Sequence, residues 1–396
     1  MKVLIIGSRV PFPLRDGGAI ASYNLLKGLS QLDIEIDFIT LNTSKHFVDD
    51  TTFKREFGFL NYSETFFINT DIRPLKALKN LFSTGSYNVE RFTHPDFAAR
   101  IQALCEQNQY DIVHFEGLFV AQYLPMIQTK AVKLLRQHNV EYAIWKTLAK
   151  TKKGLMRWYI NFLAKRLEQF ETSITPQFDA LVSITESDRI DSLRFLYFNK
   201  ISATIPAGII KQEQATNSIN SSYLYHIGSM EWMPNIEAMD WFHEQIWPLI
   251  LESSPTTEFF MAGKHMPKRY ENWAYKNFHV MGEVERVEQF SADKSVLVVP
   301  LRSGSGIRIK TIEAMMAGKA VVTTSQGAFG LDIVDGVHCL IADEPKAFAE
   351  ACVRLQDKQY RDEIAQNGQT YANSHFGNEA VSLSWLNFYK ALCQKP

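Results

Sequence analysis

The stretch PLRSGSGIRIKTIE, Pro300 to Glu313, brings together two glycines, two arginines, a lysine and one carboxylate. A β-branched run, SVLVV, precedes it and a helical spacing follows, so the glycines lie between the carboxyl end of a strand and the start of a helix. Bare backbone in that position can form a concave nest of amides for a phosphate, built from Arg302, Ser303, Gly304, Ser305, Gly306 and Ile307. Arg302, Arg308 and Lys310 would complete a diphosphate clamp, since guanidinium groups contact phosphate oxygens in pairs. On a helix starting near Arg308, residues Ile309, Ile312 and Met316 face the core while Lys310, Glu313 and Ala317 share the other face. A carboxylate there would accept hydrogen bonds from vicinal hydroxyls such as those of a ribose. The plainer alternative is a solvated Lys–Glu pair three residues apart, worth ~0.2–0.5 kcal/mol.

A second constellation follows the first strand, VLIIG. The run SRVPFPLRDGG leads into a helical pattern with Ile20, Tyr23, Leu26 and Leu29 on one side, which places Gly17 and Gly18 at a helix N-terminus. Unpaired amides and the helix dipole favour an anion there, and a missing side chain lets a ligand approach. The alternative is a tight turn that needs positive φ. Neither a Walker A sequence nor Gly-x-Gly-x-x-Gly is present. His138, in LLRQHNVE, directly follows a buried strand, where it serves either as a cleft residue or as a satisfied core group; His114 and His226 lie inside strands and read as core. The chain contains no Asp-x-Asp and no paired histidines with metal spacing, so no metal or cofactor is expected, and a diphosphate would be stabilised by protein cations and helix dipoles.

The elements that must position these residues alternate almost from end to end. Strands are expected at Val3–Ile6, Ile36–Leu41, Asp111–Phe115, Ala131–Leu135, Ala180–Ile184 and Ser202–Ile205. After a polar stretch, Ala207–Ser222, they resume at Tyr223–Ile227, Glu258–Met261, His279–Met281, Ser295–Val299, Ala320–Thr324 and Cys339–Ile341. Continuous apolar runs suit parallel strands buried on both faces, and the pattern predicts α/β architecture with two doubly wound, Rossmann-like domains facing across a cleft. The boundaries read as 1–210 for the first domain, 211–375 for the second, and 376–396 for a last helix packing back on the first domain.

Bulk composition restricts the function classes. A chain of 396 residues, 46% hydrophobic and 21% charged, exceeds one ordinary core and has soluble globular composition. A net charge of −1 gives no global basis for a nucleic-acid partner. Four scattered cysteines form neither a disulfide framework nor a zinc site. With no signal-peptide core and no spanning segment, the expectation is a cytoplasmic protein, with membrane contact only peripheral, at the inner face. The stretch from Trp145 to Phe170 carries an apolar stripe, Leu155, Trp158, Phe162 and Leu163, flanked by Lys150, Lys152, Lys153, Arg157, Lys165 and Arg166. Such a stretch suits an anionic membrane surface, but core packing with a solvated basic face is the simpler reading.

These residues resemble the retaining glycosyltransferases of the GT-B fold, in particular the family 4 type, or glycosyl transferases group 1. The likeness covers nearly the whole chain and rests chiefly on VPLRSGSGIRIKTIEAMMAGKAVVTT and GAFGL, supported by PFPLRDGG, DIVHFEG, RQHNVE, SITESDR and IGSMEWMPN. The resemblance implies a metal-independent enzyme of hexosyltransferase type that moves a sugar, with retention, from a nucleotide diphosphate donor to a hydroxyl of a bacterial surface glycan such as lipopolysaccharide, or of a lipid-linked acceptor. With this resemblance 1–210 would be the acceptor-side domain and 211–375 the nucleotide-sugar-binding domain; Glu313 would hold the ribose, Gly17 and Gly18 would lie next to the donor phosphates and the acceptor, His138 near the transferred sugar, and Gly228 beside the donor. Glu283 and Val284, in MGEVERV after a strand, are the expected wall against the base. Two departures stand out. Ser305 occupies the position of the motif's first glutamate, so amides of Gly306 to Arg308 would replace it, and Ser229 and Pro234 occupy the places of an arginine and a lysine. A nucleotide-sugar epimerase of the same fold and a non-catalytic nucleotide-sugar binder are the alternatives.

Overall fold

The structure is a computed structural model that describes residues 1–14, 16–73, 75, 80–211, 221–273, 277–304 and 306–394. Most of the polar stretch Ala207–Ser222 therefore lies outside the described residues, as does Ser305. The chain forms two compact units, Met1–Gly208 with Asn378–Pro396, and Ile209–Gly377.

The first unit is built on strands β1 (Lys2–Gly7), β2 (Glu35–Thr43), β3 (Tyr62–Ile68), β4 (Ile112–Glu116), β5 (Val132–Gln137), β6 (Ala180–Ser183) and β7 (Ile201–Thr204). They form one sheet in the order β3-β2-β1-β4-β5-β6-β7, with every pair parallel. Side chains alternate across it. Leu4, Ile6, Ile39, Leu41, Val113, Phe115 and Leu135 enter one core, while Val3, Ile5, Ile36, Phe38, Ile112 and Leu134 enter the other. Both faces are buried, which is why these strands read as unbroken apolar runs instead of alternating ones.

The second core is closed by two helices. Gly17–Leu29 contributes Leu25, Leu26 and Leu29, and Asn378–Cys393 contributes Val381, Trp385, Tyr389 and Leu392 at helical spacing. A Cβ at Gly28 would overlap the Ser382 hydroxyl, so glycine permits the two helices to touch.

The second unit has β8 (Leu224–Ile227), β9 (Phe259–Ala262), β10 (Phe278–Gly282), β11 (Val296–Val299), β12 (Ala320–Thr323) and β13 (Leu340–Ile341), in the parallel order β10-β9-β8-β11-β12-β13. The sequence predicts one helix over Asn235–Ile250. Instead Met233–Trp241 and Trp247–Ser253 flank a wide π turn, Phe242–Ile246. Pro248 lacks an N–H, so the ladder has to loosen there.

Trp385 is fully buried between His114, Arg136 and Tyr389. Trp385→Ala should cost about 3–5 kcal/mol by guanidinium unfolding; a loss below about 1 kcal/mol would mean that this helix is not integral to the core.

Candidate functional site

In a parallel sheet all strand carboxyl ends lie on one edge, and where the winding reverses the connections leave in opposite directions and open a crevice. The strand orders place these reversals between β1 and β4 in the first unit and between β8 and β11 in the second. Most of the described residues singled out from the sequence fall at these two places, whereas Glu283 and Val284 follow β10 at the edge of the second sheet.

In the second unit, β11 runs into the loop that contains Gly304 and Gly306, at φ of 104° and 84°. A Cβ on Gly304 would lie 2.6 Å from the Trp232 ring, so this position needs glycine for conformation and for space. The Arg308 side chain is buried, and its guanidinium donates to the carbonyls of Gly306 (2.8 Å) and Gly304 (3.0 Å) while lying 5.2 Å from the Trp232 ring centre. Gln326 also donates to the Gly304 carbonyl, at 2.7 Å. The guanidinium expected to reach a phosphate is thus engaged inside the loop as a brace. Because a trans peptide directs its N–H opposite its C=O, holding the Gly306 carbonyl turns the Ile307 amide away from Arg308. Ser303 donates to Glu237 (2.7 Å), and Arg302 lies over Trp241 (5.3 Å), so the start of the loop is fixed to the helix Met233–Trp241.

The helix after the loop runs from Ile309 to Met316, with Ile312 and Met316 buried. Lys310 and Glu313 share its other face. The Lys310 ammonium crosses to the end of β8, where it donates to the Ile227 carbonyl (3.1 Å) and Asn235 Oδ1 (3.0 Å) and lies 3.4 Å from His226 Nε2. A Cβ on Gly228 would come within 3.2 Å of that ammonium. Burial, with Arg308 nearby, pulls the lysine down to about 7. Glu313 is reached by solvent yet surrounded by protein, and burial, with Glu288 in addition, pushes its carboxyl up to about 7. His226 is a satisfied core residue on the Val298 carbonyl (2.8 Å). Val284 is half-buried, and Glu283 pairs with Lys264 at 3.3 Å.

In the first unit, Asp16 caps the helix Gly17–Leu29 by accepting from the Ala19 amide (3.0 Å), and it also pairs with Arg9. Gly17 and Gly18 open this helix without positive φ, which removes the tight-turn reading. The reason for glycine at 18 is space. A Cβ there would lie 2.9 Å from Arg9 Nη2 and 3.6 Å from His138 Nδ1. The structure therefore brings Gly18 and His138 together.

Behind His138 lies a group to which the sequence pattern assigns no role. Glu116 is buried, and its Oε1 accepts from Arg136 Nη1 (2.8 Å), the Ser22 hydroxyl (2.7 Å) and His138 Nε2 (2.7 Å). Its Oε2 is 3.1 Å from His114 Nε2, and His114 Nδ1 meets the Tyr389 hydroxyl at 2.6 Å. Although burial alone would raise it, Arg136 and the two histidines hold the Glu116 carboxyl well below the usual range. An ionised Glu116 makes Nε2 of His138 the protonated nitrogen and leaves Nδ1 toward Gly18. The signal that could have found the hub is a pair of opposite charges, Glu116 and Arg136, at the ends of two adjacent apolar strands, where they stand in register.

A cavity of about 780 Å³ opens at this strand edge, lined among others by Ser8, Arg9, Gly18, Glu116, His138 and Glu141. Behind the lining residue Glu141, buried Glu171 accepts from the amides of Glu141 (3.1 Å) and Tyr142 (3.0 Å) and so caps the helix Glu141–Lys150. Burial pushes Glu171 up to about 8 and Glu141 up to about 7. Among the described residues, no group of three or more His, Cys, Asp or Glu is placed to hold a metal ion.

Comparison with known proteins gives a consistent result. Residues 221–358, within the second unit, match the family model for glycosyl transferases group 1. Over 405 aligned residues the chain is 20% identical to an uncharacterised 44.6 kDa protein in the cps region of Klebsiella pneumoniae, with 96% of this chain and 97% of that protein covered. Among solved structures, the sucrose-phosphate synthase of Thermosynechococcus elongatus superposes with a TM-score of 0.67 at 14% identity, covering 99% of both chains. Anabaena HepE in complex with UDP-glucose gives 0.63 at 14% identity, covering 99% of this chain and 100% of that one. The chain shares the fold of these solved structures.

Glu116→Gln removes the counter-charge of buried Arg136 and should cost about 3–5 kcal/mol near neutral pH. Because the folded carboxyl is depressed, its contribution is complete above the ordinary value of about 4.3, declines as pH falls below that and is gone once pH has fallen through the folded value. Denaturation midpoints of wild type and variant should therefore stay apart down to about pH 4 and converge in stronger acid. Convergence already at about pH 6 would contradict the buried pair.

Proposed function

We propose that the chain transfers a sugar from a nucleoside diphosphate donor to an acceptor hydroxyl, with retention at the anomeric carbon and without a metal. The observation that carries this reading is the loop and helix start at the β8/β11 reversal, where two positive-φ glycines lead into a helix that carries Lys310, its ammonium at the end of β8, and Glu313 one turn on, within the residues that match glycosyl transferases group 1. Glu313 accepts from the ribose hydroxyls, loop amides up to Ile307 and the ammonium of Lys310 face the diphosphate, and Val284 lies along the base. Ser229 and Pro234 take the places where the resembling enzymes carry two cations, and the Lys310 ammonium reaches that strand end from the neighbouring connection. Arg308 acts by keeping the loop in shape.

In the step we infer, the bond between the anomeric carbon and the diphosphate oxygen breaks, and a bond to the acceptor oxygen forms on the same face. The acceptor proton passes to the departing diphosphate, whose growing charge is stabilised by the fixed amides and Lys310. The cavity beside His138 takes the acceptor, with Glu116 fixing the orientation of the imidazole. The uncharacterised Klebsiella relative lies in a cps region, which supports a polysaccharide acceptor, and HepE was solved with UDP-glucose, which supports a nucleotide-sugar donor.

Calorimetric titration with uridine, guanosine, adenosine and cytidine diphosphates would identify the base. For the one that binds, Glu313→Ala should weaken both nucleoside and nucleoside diphosphate about tenfold, through lost hydrogen bonds to the ribose. Lys310→Met should weaken the diphosphate about tenfold and leave the nucleoside nearly unchanged. Equal losses for both ligands in Lys310→Met would remove the phosphate role. Slow donor hydrolysis without acceptor, with the anomer retained, is the expected turnover; an epimerised sugar would replace the transferase reading.

A further inference from the structure

We propose that the first turns of the helix Gly154–Ile174, with the loop Asn80–Gly85, form a docking surface for a bilayer rich in anionic lipid. This goes beyond the transferase reading and does not depend on it.

The sequence favours a core role for the stripe from Leu155 to Leu163, and the structure divides it. Ile160, Leu163, Ala164 and Leu167 are buried and anchor the helix. The residues before them stay largely in solvent. Leu155 is 86% exposed, Met156 56% and Trp158 58%, and the whole run Thr151–Trp158 lies at the surface. Burying such side chains in lipid returns the transfer free energy that the fold forgoes.

One side of the helix connects this apolar tip to a second one. Trp158 stacks on Phe162 (5.9 Å), Phe162 lies under the Arg166 guanidinium (4.3 Å), and Arg166 donates to the carbonyls of Asn80 (2.5 Å) and Gly85 (3.1 Å). The loop held in this way projects Phe82, which is 89% exposed. Rigid projection of Leu155, Trp158 and Phe82 suits insertion into a deformable headgroup layer, whereas a protein partner would need a matching pocket for each.

Charge identifies the partner. From Tyr142 to Leu167 there are seven lysines and arginines and no acidic residue, in a chain whose net charge is −1. Lys146 pairs with Glu168 (2.6 Å), but Lys150, Lys152, Lys153, Arg157 and Lys165 are exposed and make no ion pair among the described residues. A second copy meeting this face through a two-fold axis would set cations against cations. An anionic surface attracts each of them.

Co-sedimentation of the full chain with vesicles of phosphatidylcholine alone, and of phosphatidylcholine mixed equally with phosphatidylglycerol, tests the assignment. Binding should occur with the anionic vesicles only and should weaken at high salt. The double substitutions Lys152→Glu/Lys153→Glu and Leu155→Ser/Trp158→Ser should each lower the vesicle affinity about tenfold. Both pairs are exposed, so circular dichroism and nucleotide binding should be unchanged. Lack of binding to anionic vesicles, or binding that neither variant alters, would overturn the proposal. A dimer abolished by Leu155→Ser/Trp158→Ser would overturn it in favour of self-association.

Discussion

Strands that all run the same way are the constraint on which both units depend. Every β-strand dipeptide that buries both faces here, from Val3-Leu4 to Val321-Val322, commits the chain to a helical crossover before the next strand, and those crossovers must leave the sheet on one side or the other. Where the side changes, between β1 and β4 and between β8 and β11, the connections leave the sheet in opposite directions and open a crevice. Chemistry-bearing side chains follow from that gap. Glu116 and His138 end or follow strands on one side of the first gap, Gly18 opens the helix on the other, and Lys310 and Gly228 meet across the second.

The two gaps are equipped differently. In the first unit a buried carboxylate is the centre, and its desolvation is offset by a full guanidinium, a hydroxyl and two imidazoles. That arrangement fixes the His138 ring before any ligand arrives. In the second unit the fixed feature is backbone. Arg308 and Gln326 draw the loop carbonyls inward, and Trp232 packs where a Gly304 side chain would be. A loop held by its carbonyls presents its amides without further reorganisation, which is the property an anion site requires.

The α/β class and most strands are legible in the sequence because a short, continuous run of β-branched residues bounded by turn residues suits a strand covered on both faces. The edge strand Tyr62–Ile68 is not: with polar Ser63, Glu64 and Thr65 and an exposed Phe67, it carries no buried run. Gly304 and Gly306 are legible as positions of unusual backbone, since two glycines between a buried strand and a helix suit neither element. The part played by Arg308 is not, since a sequence does not tell a guanidinium aimed outward from one folded back onto its own loop. Gly18 is ambiguous for a related reason: positive φ and close approach both require glycine, and only the position of Arg9 and His138 separates them. The Glu116–Arg136 pair is visible in principle through register, which spacing along one strand does not reveal. The exposed Leu155 and Trp158 read as core because helical periodicity reports which side chains share a face and not whether anything covers it.

The central claim is that the loop after β11 receives a nucleoside diphosphate. Amide hydrogen exchange of the protein with and without the diphosphate it binds tests this most directly. Peptides covering Arg302–Glu313 should exchange more slowly in the complex, while those covering the helix Lys358–Phe376 of the same unit should be unchanged. Saturable binding of the diphosphate with no slowing of exchange across Arg302–Glu313 would contradict the account.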